Sequence, residues 1–287
     1  MKYIHAIKGG AIAFVIFALV VFFVPGYGAS DDVKTILTVT TFLFAIIVGF
    51  FIARMNSRYN TIREAISLED AKLLSFYKSS QLFGKRFQNK VKEIIDKYYI
   101  LVGDYIDTEL YYKKTAPLFF QLYRELNKLK DSKKKNLSRE VYDDMVVELN
   151  EVENHRNISS EFMSEKLSLG QWSIVFILGG IIIFCVFYLR VDAFYSQFIT
   201  VLLSSAIILM ILTLRDLQEL RLANKPILIE SGQEMFDFMG KLRYYNKKYV
   251  NNGYLQIQTN IKKYRLGLHK PGEKFNIKIV KNPNYKG

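Results

Sequence analysis

Four uncharged apolar stretches interrupt an otherwise polar chain. They cover residues 9–30, 35–53, 167–189 and 193–214, and none contains Asp, Glu, Lys, Arg or His. A helix of about 20 residues crosses the hydrocarbon core of a bilayer. The stretches are continuously apolar and do not alternate, so they predict four transmembrane helices and not barrel strands.

Between the second and third stretches the pattern changes to helical stripes. Tyr59, Ile62, Ile66, Leu73, Phe76, Tyr77 and Phe83 recur mostly at three- or four-residue steps, as do Phe87, Val91, Ile94, Ile95, Tyr98, Leu101, Val102 and Ile106. A third set follows Pro117 at Phe119, Leu122, Leu126 and Leu129, and a fourth runs through Val141, Met145, Leu149 and Val152. Such stripes mark amphipathic helices that pack on one another. The basic run 130–136 between the last two sets reads as a solvated loop, because no aromatic residue interleaves with it.

The fourth span is expected to continue as helix through Asp216, Leu217, Leu220 and Leu222 until Pro226 stops it. Residues 230–245 predict a further short helix. Beyond Gly253 the period becomes two. Leu255 and Ile257, then Phe275, Ile277 and Ile279, alternate with polar residues and predict a small two-stranded element. The fold class is thus an all-α membrane protein with four transmembrane helices, a helical cytoplasmic region and a small C-terminal β element. Its segments are 1–54 (two spans), 55–166 (helical), 167–224 (two spans with an extension) and 225–287 (tail).

One alternative concerns the first stretch. Lys2 and Lys8, an apolar run and small residues before Asp31 also resemble a signal peptide. The apolar run from Ala11 to Val24 is long for one, and a second span follows at once, which favours a retained helix.

Charge adds the orientation. The chain carries 40 Lys and Arg against 27 Asp and Glu. The short connectors 31–34 and 190–192 have net charges of −1 and zero, whereas 54–166 is +3 and 215–287 is +9. Positive segments stay in the cytoplasm. Both termini and the middle segment are therefore expected in the cytoplasm. Almost nothing remains outside to form a ligand-binding domain.

Candidate chemistry is sparse. Cys185 is the one cysteine, and His5, His155 and His269 have no second His or Cys at ligand spacing, so no metal site or cofactor is expected. No phosphate loop, zinc-protease helix or nucleophile elbow occurs, and the chain does not read as an enzyme. Gly179-Gly180 lies inside a span, where small residues permit close helix approach. The absence of intramembrane charge counts against a coupled transporter. An apolar channel constriction needs no such charge.

The second span carries the most information. Phe42, Ile46 and Phe50 lie at i, i+4 and i+8, along one side of a helix. Around a shared axis they would form a hydrophobic neck. By spacing alone, plain lipid contact or helix packing explains them as well. The stretch from Phe42 to Glu64 resembles the second-helix signature of bestrophins, with Gly49-Phe50, then Asn56-Ser57, Arg58-Tyr59 and Glu64. Asp216-Leu217, Arg221 and Pro226 resemble the corresponding exit from the fourth span in the bacterial bestrophin-like domain family. The resemblance implies a homo-pentameric channel for monovalent ions, with Phe42, Ile46 and Phe50 as the pore neck. It places Arg58 and Glu64 at the cytoplasmic end of that helix as an inter-helix or inter-subunit ion pair. Segment 223–229 lacks the acidic cluster that animal members use for calcium. Membrane lipid and further copies of the chain are the expected partners, and nucleic acid is not. The alternative is a non-conducting membrane scaffold or stress-response protein that acts through its cytoplasmic helices.

Overall fold

The computed structural model describes residues 4–105, 111–130, 137–221, 230–252 and 255–285. The chain divides into two units. The first comprises Met1–Tyr59 and Lys166–Asn224, the second Asn60–Glu165 and Lys225–Gly287.

The first unit contains α1 (Ala6–Phe23), the N-terminal part of α2 (Asp31–Ser79), α6 (Leu169–Tyr188) and α7 (Phe194–Gln218). These are the helices of the four apolar stretches, and all are long and apolar enough to cross a membrane. α7 packs against both α1 and α6. The core joins Phe44, Val48, Phe51 and Met55 of α2 to Val175 and Ile182 of α6 and Ile207, Ile211 and Leu214 of α7. Gly179 makes that packing possible. A methyl group there would meet Ile207 and Ile211 at 3.2 Å, whereas Gly180 faces open space.

The second unit contains the rest of α2, a 3-10 turn (Ser80–Phe83), α3 (Lys85–Asp104), α4 (Tyr111–Lys130) and α5 (Leu137–Ser164). The stripes become its core: Ile62, Leu73, Phe76, Val91, Ile95, Tyr98, Phe119, Leu122, Leu126, Met145, Leu149 and Val152 are buried. Pro117 sits inside α4, just before its apolar stripe.

The C-terminal part differs from the expectation in three ways. First, α7 stops at Gln218. Leu220 takes a left-handed φ of 54°, and the N–H of Arg221 bonds back to the Asp216 carbonyl at 2.9 Å. This is a Schellman stop, made here without the usual glycine. Second, α8 (Glu230–Phe238) ends well before residue 245. Gly240 at φ 63° closes the same kind of stop, with the Lys241 N–H on the Phe236 carbonyl at 2.8 Å. Third, the sheet has three strands: β1 (Tyr244–Asn246), β2 (Lys263–Gly267) and β3 (Ile277–Lys281), in that order, with the helix α9 (Lys247–Asn251) after β1. β1 pairs parallel with β2, and β3 antiparallel with it. Leu255 and Ile257 are not in a strand. A parallel partner distant in sequence leaves no hairpin signal to read. Ile106, Leu222, Pro226, Gly253 and residues 131–136 and 223–229 lie outside the described residues.

Buried polar groups tie this unit together. Asp104 at the end of α3 accepts from Tyr244 at 2.6 Å and Asn246 at 2.8 Å, and its other oxygen meets His269 Nε2 at 2.8 Å. Burial, followed by the Asp104 charge, pushes the Tyr244 phenol well above its usual value and keeps it a donor. Asp96 holds Lys241 at 2.7 Å and Arg265 at 2.8 Å. Further along α3, Tyr98 donates to the buried Glu69 of α2. Arg156 of α5 is buried, lies over the Phe119 ring at 3.9 Å and donates to Thr115 at 2.6 Å.

Candidate pore helix and its supports

α2 runs unbroken for 49 residues. Within the first unit it has two opposite faces. Phe44, Val48, Phe51, Met55 and Arg58 are buried. Phe42, Ile46 and Phe50 are 66%, 54% and 64% exposed, with Val39 further along the same side. The two sets interleave at three- and four-residue steps, so helical periodicity separates them onto different sides. Gly49 also has open space around it. The three residues expected in the neck therefore share an exposed apolar ridge.

Arg58 and Glu64 are six residues apart on α2, which turns them about 120° from each other. Arg58 is only 2% exposed and donates to the Gln218 carbonyl at 2.9 Å. Glu64 is exposed. The chain itself thus gives Arg58 a carbonyl acceptor at the C-terminal end of α7, where the helix dipole is negative and favours a cation. The Gln218 side chain completes the junction. Its Oε1 accepts from Trp172 Nε1 at 3.1 Å and from the Leu167 N–H at 3.1 Å. Ser168 and Gln171 then cap α6 reciprocally.

The ends of α1 are held by charged groups from elsewhere in the chain. Asp216 of α7 accepts from the Ala6 N–H at 2.8 Å, supplying the carboxylate a helix N-terminus favours. At the other end Arg190, which is buried, donates to the carbonyls of Val21 and, at 2.6 Å, Val24. The Gly26 backbone passes so close to the Arg190 carbonyl that a Cβ there would collide with it. In the sequence Asp216 belongs to a helix continuation and a motif, Arg190 is a connector charge, and nothing singles out Gln218. Their partners are distant in sequence, so spacing alone could not reveal their roles.

Among the described residues no group of His, Cys, Asp and Glu could hold a metal ion.

The comparisons agree with this architecture. No curated protein matches the sequence. Two variants of a bacterial bestrophin homologue from Klebsiella pneumoniae are similar in structure, each at 12% identity. One gives a TM-score of 0.56 over 82% of this chain and 98% of that one; the other gives 0.58 over 81% and 99%. A further crystal structure, described as a membrane protein, gives 0.59 over 80% and 98%, again at 12% identity. The model of the Bestrophin-like domain matches residues 11–219. That range holds most of α1, the other three apolar helices, the exposed ridge of α2 and the α7 junction, and this chain belongs to the bestrophin-like family.

Proposed function

We propose that the protein is a homo-oligomeric ion channel of the bacterial inner membrane, with a pore lined by α2 and narrowed by Phe42, Ile46 and Phe50. The observation that carries this reading is the exposed apolar ridge on α2, opposite its packed face, in a chain of this family. Several copies arranged around an axis would turn the ridges toward one another. Rings at that spacing form a constriction that passes ions when wide and dewets when narrow. From the resemblance we take the ring as a pentamer and the permeant species as monovalent ions. The positive segments 54–166 and 215–287 put both termini in the cytoplasm. Arg58, fixed on the α7 end, then holds the pore helix in place, and the exposed Glu64 is available to a neighbouring helix or copy.

The test is single-channel recording from the purified protein in planar bilayers. Phe50→Ala removes a ring from the neck and is expected to raise unitary conductance severalfold. A purified oligomer whose current is unchanged by Phe42→Ala, Ile46→Ala and Phe50→Ala would show that the ridge faces lipid.

A further inference from the structure

The second unit carries opposite charges on two separate elements. Among its described residues, α5 packs on α4, α4 on α3 and α3 on β1, with β2 and then β3 beyond. In this succession of contacts α5 and β3 are separated by α4, α3, β1 and β2, and α5 is also held by α2 through Ser75–Glu148 and Lys72–Glu151. α5 carries seven Asp and Glu against Arg139 and Arg156, and Arg156 is buried. Its exposed residues include Glu140, Asp143, Asp144 and Glu161, with the exposed apolar Val147 among them. By contrast, residues 241–287 hold twelve Lys and Arg against Glu273 alone. Lys263 and Lys281 are exposed and directly paired on the face of the sheet that carries Ile279, which is itself 62% exposed on an edge strand, and Lys262 and Lys278 are exposed as well.

We propose that the β3 end of one copy docks on the α5 face of the next. This rests on the homo-oligomer reading above and goes beyond it, because the β3 end lies past residue 219, where the family match stops. Charge complementarity selects the occupant. Either face against its own copy brings like charges together, so a two-fold contact is repelled. α5 against β3 brings opposite charges together around two apolar centres, Val147 and Ile279, the apolar core and charged rim of an interface. A contact between two different faces of one chain is head-to-tail, and repeated around an axis it closes a ring. Lysines also keep an edge strand from pairing with stray strands, so the same residues that choose the acidic helix discourage open-ended strand association.

The experiment is a charge swap on the full-length protein, read by native mass spectrometry in detergent at falling protein concentration. Lys263→Glu with Lys281→Glu, and separately Asp143→Lys with Asp144→Lys, are each expected to weaken assembly about tenfold. The four substitutions together are expected to restore it. An unchanged melting midpoint of the dissociated chains confirms that each variant is folded. If wild type is monomeric at every concentration, the oligomer reading fails and the docking proposal with it. If wild type is oligomeric and the reversals have no effect, or weaken assembly without rescue, the docking proposal alone is overturned. Loss of binding to phosphatidylglycerol vesicles in the lysine variant, with assembly intact, would assign the β3 end to an anionic lipid surface instead.

Discussion

Glu69 is an acidic side chain in a place where its charge is disfavoured. It is buried beyond the apolar stretch of α2, and desolvation, followed by the neighbouring Asp70 charge, raises its pKa from 4.5 to about 8. Arg156 and the Tyr98 hydroxyl oppose the shift without cancelling it. The native state therefore holds a proton that the unfolded chain releases near pH 4.5. The stability this contributes is complete below that pH and is lost as pH rises through about 8. The melting midpoint in detergent should fall between pH 5 and 9, and Glu69→Gln should flatten that fall, since Gln resembles the neutral acid in shape and has no charge to desolvate. An equal slope in both proteins would show that Glu69 is ionised in the native state. None of this was legible in the sequence, where Glu69 is one of many charges on a helix. Its burial depends on Tyr98 of another helix, and the same holds for Asp104, whose partners lie some 140 residues or more away. Arg58 was legible as a family position, but its acceptor on Gln218 was not.

Helices were the most readable level. The apolar windows and the stripes depend on local periodicity, and each described stripe residue named from the sequence is buried or half-buried. Helix ends were less readable. Gly240 is an ordinary stop signal that an expected helix over 230–245 ran past. Leu220 is no signal at all, because a leucine adopts positive φ only when surrounding bonds hold it there. The paired glycines in α6 give a test at this scale. Gly179→Leu should lower stability by about 1–3 kcal/mol, since the new side chain meets Ile207, Ile211 and Phe44. Gly180→Leu should cost much less, because nothing lies within 4 Å. Equal losses in thermal melts would mean that close packing at Gly179 does not distinguish the two sites.

For the whole molecule the decisive property is uneven charge. The chain is strongly basic overall, yet one helix of its second unit is acidic and the strand end is basic. An oligomer held together by such charges should be sensitive to salt. Raising ionic strength from about 0.05 to 1 M shortens the screening length from over 10 Å to about 3 Å. The dissociation constant should then rise in wild type and change less in either charge-reversed variant. A salt-independent oligomer would place the cohesion in the apolar helices alone.

What the sequence determined by itself was local or additive. It fixed four spans, the helical middle segment, the sign of each segment and, through a few motif positions, the family. These follow from periodicity, length and charge counts, which need no knowledge of distant partners. Only the tertiary structure decided which carboxylates are buried, where Asp216 and Arg190 attach α1, and that a third strand joins the sheet. Each of these depends on residues far apart in the chain being brought together, and that information exists only once the chain has folded.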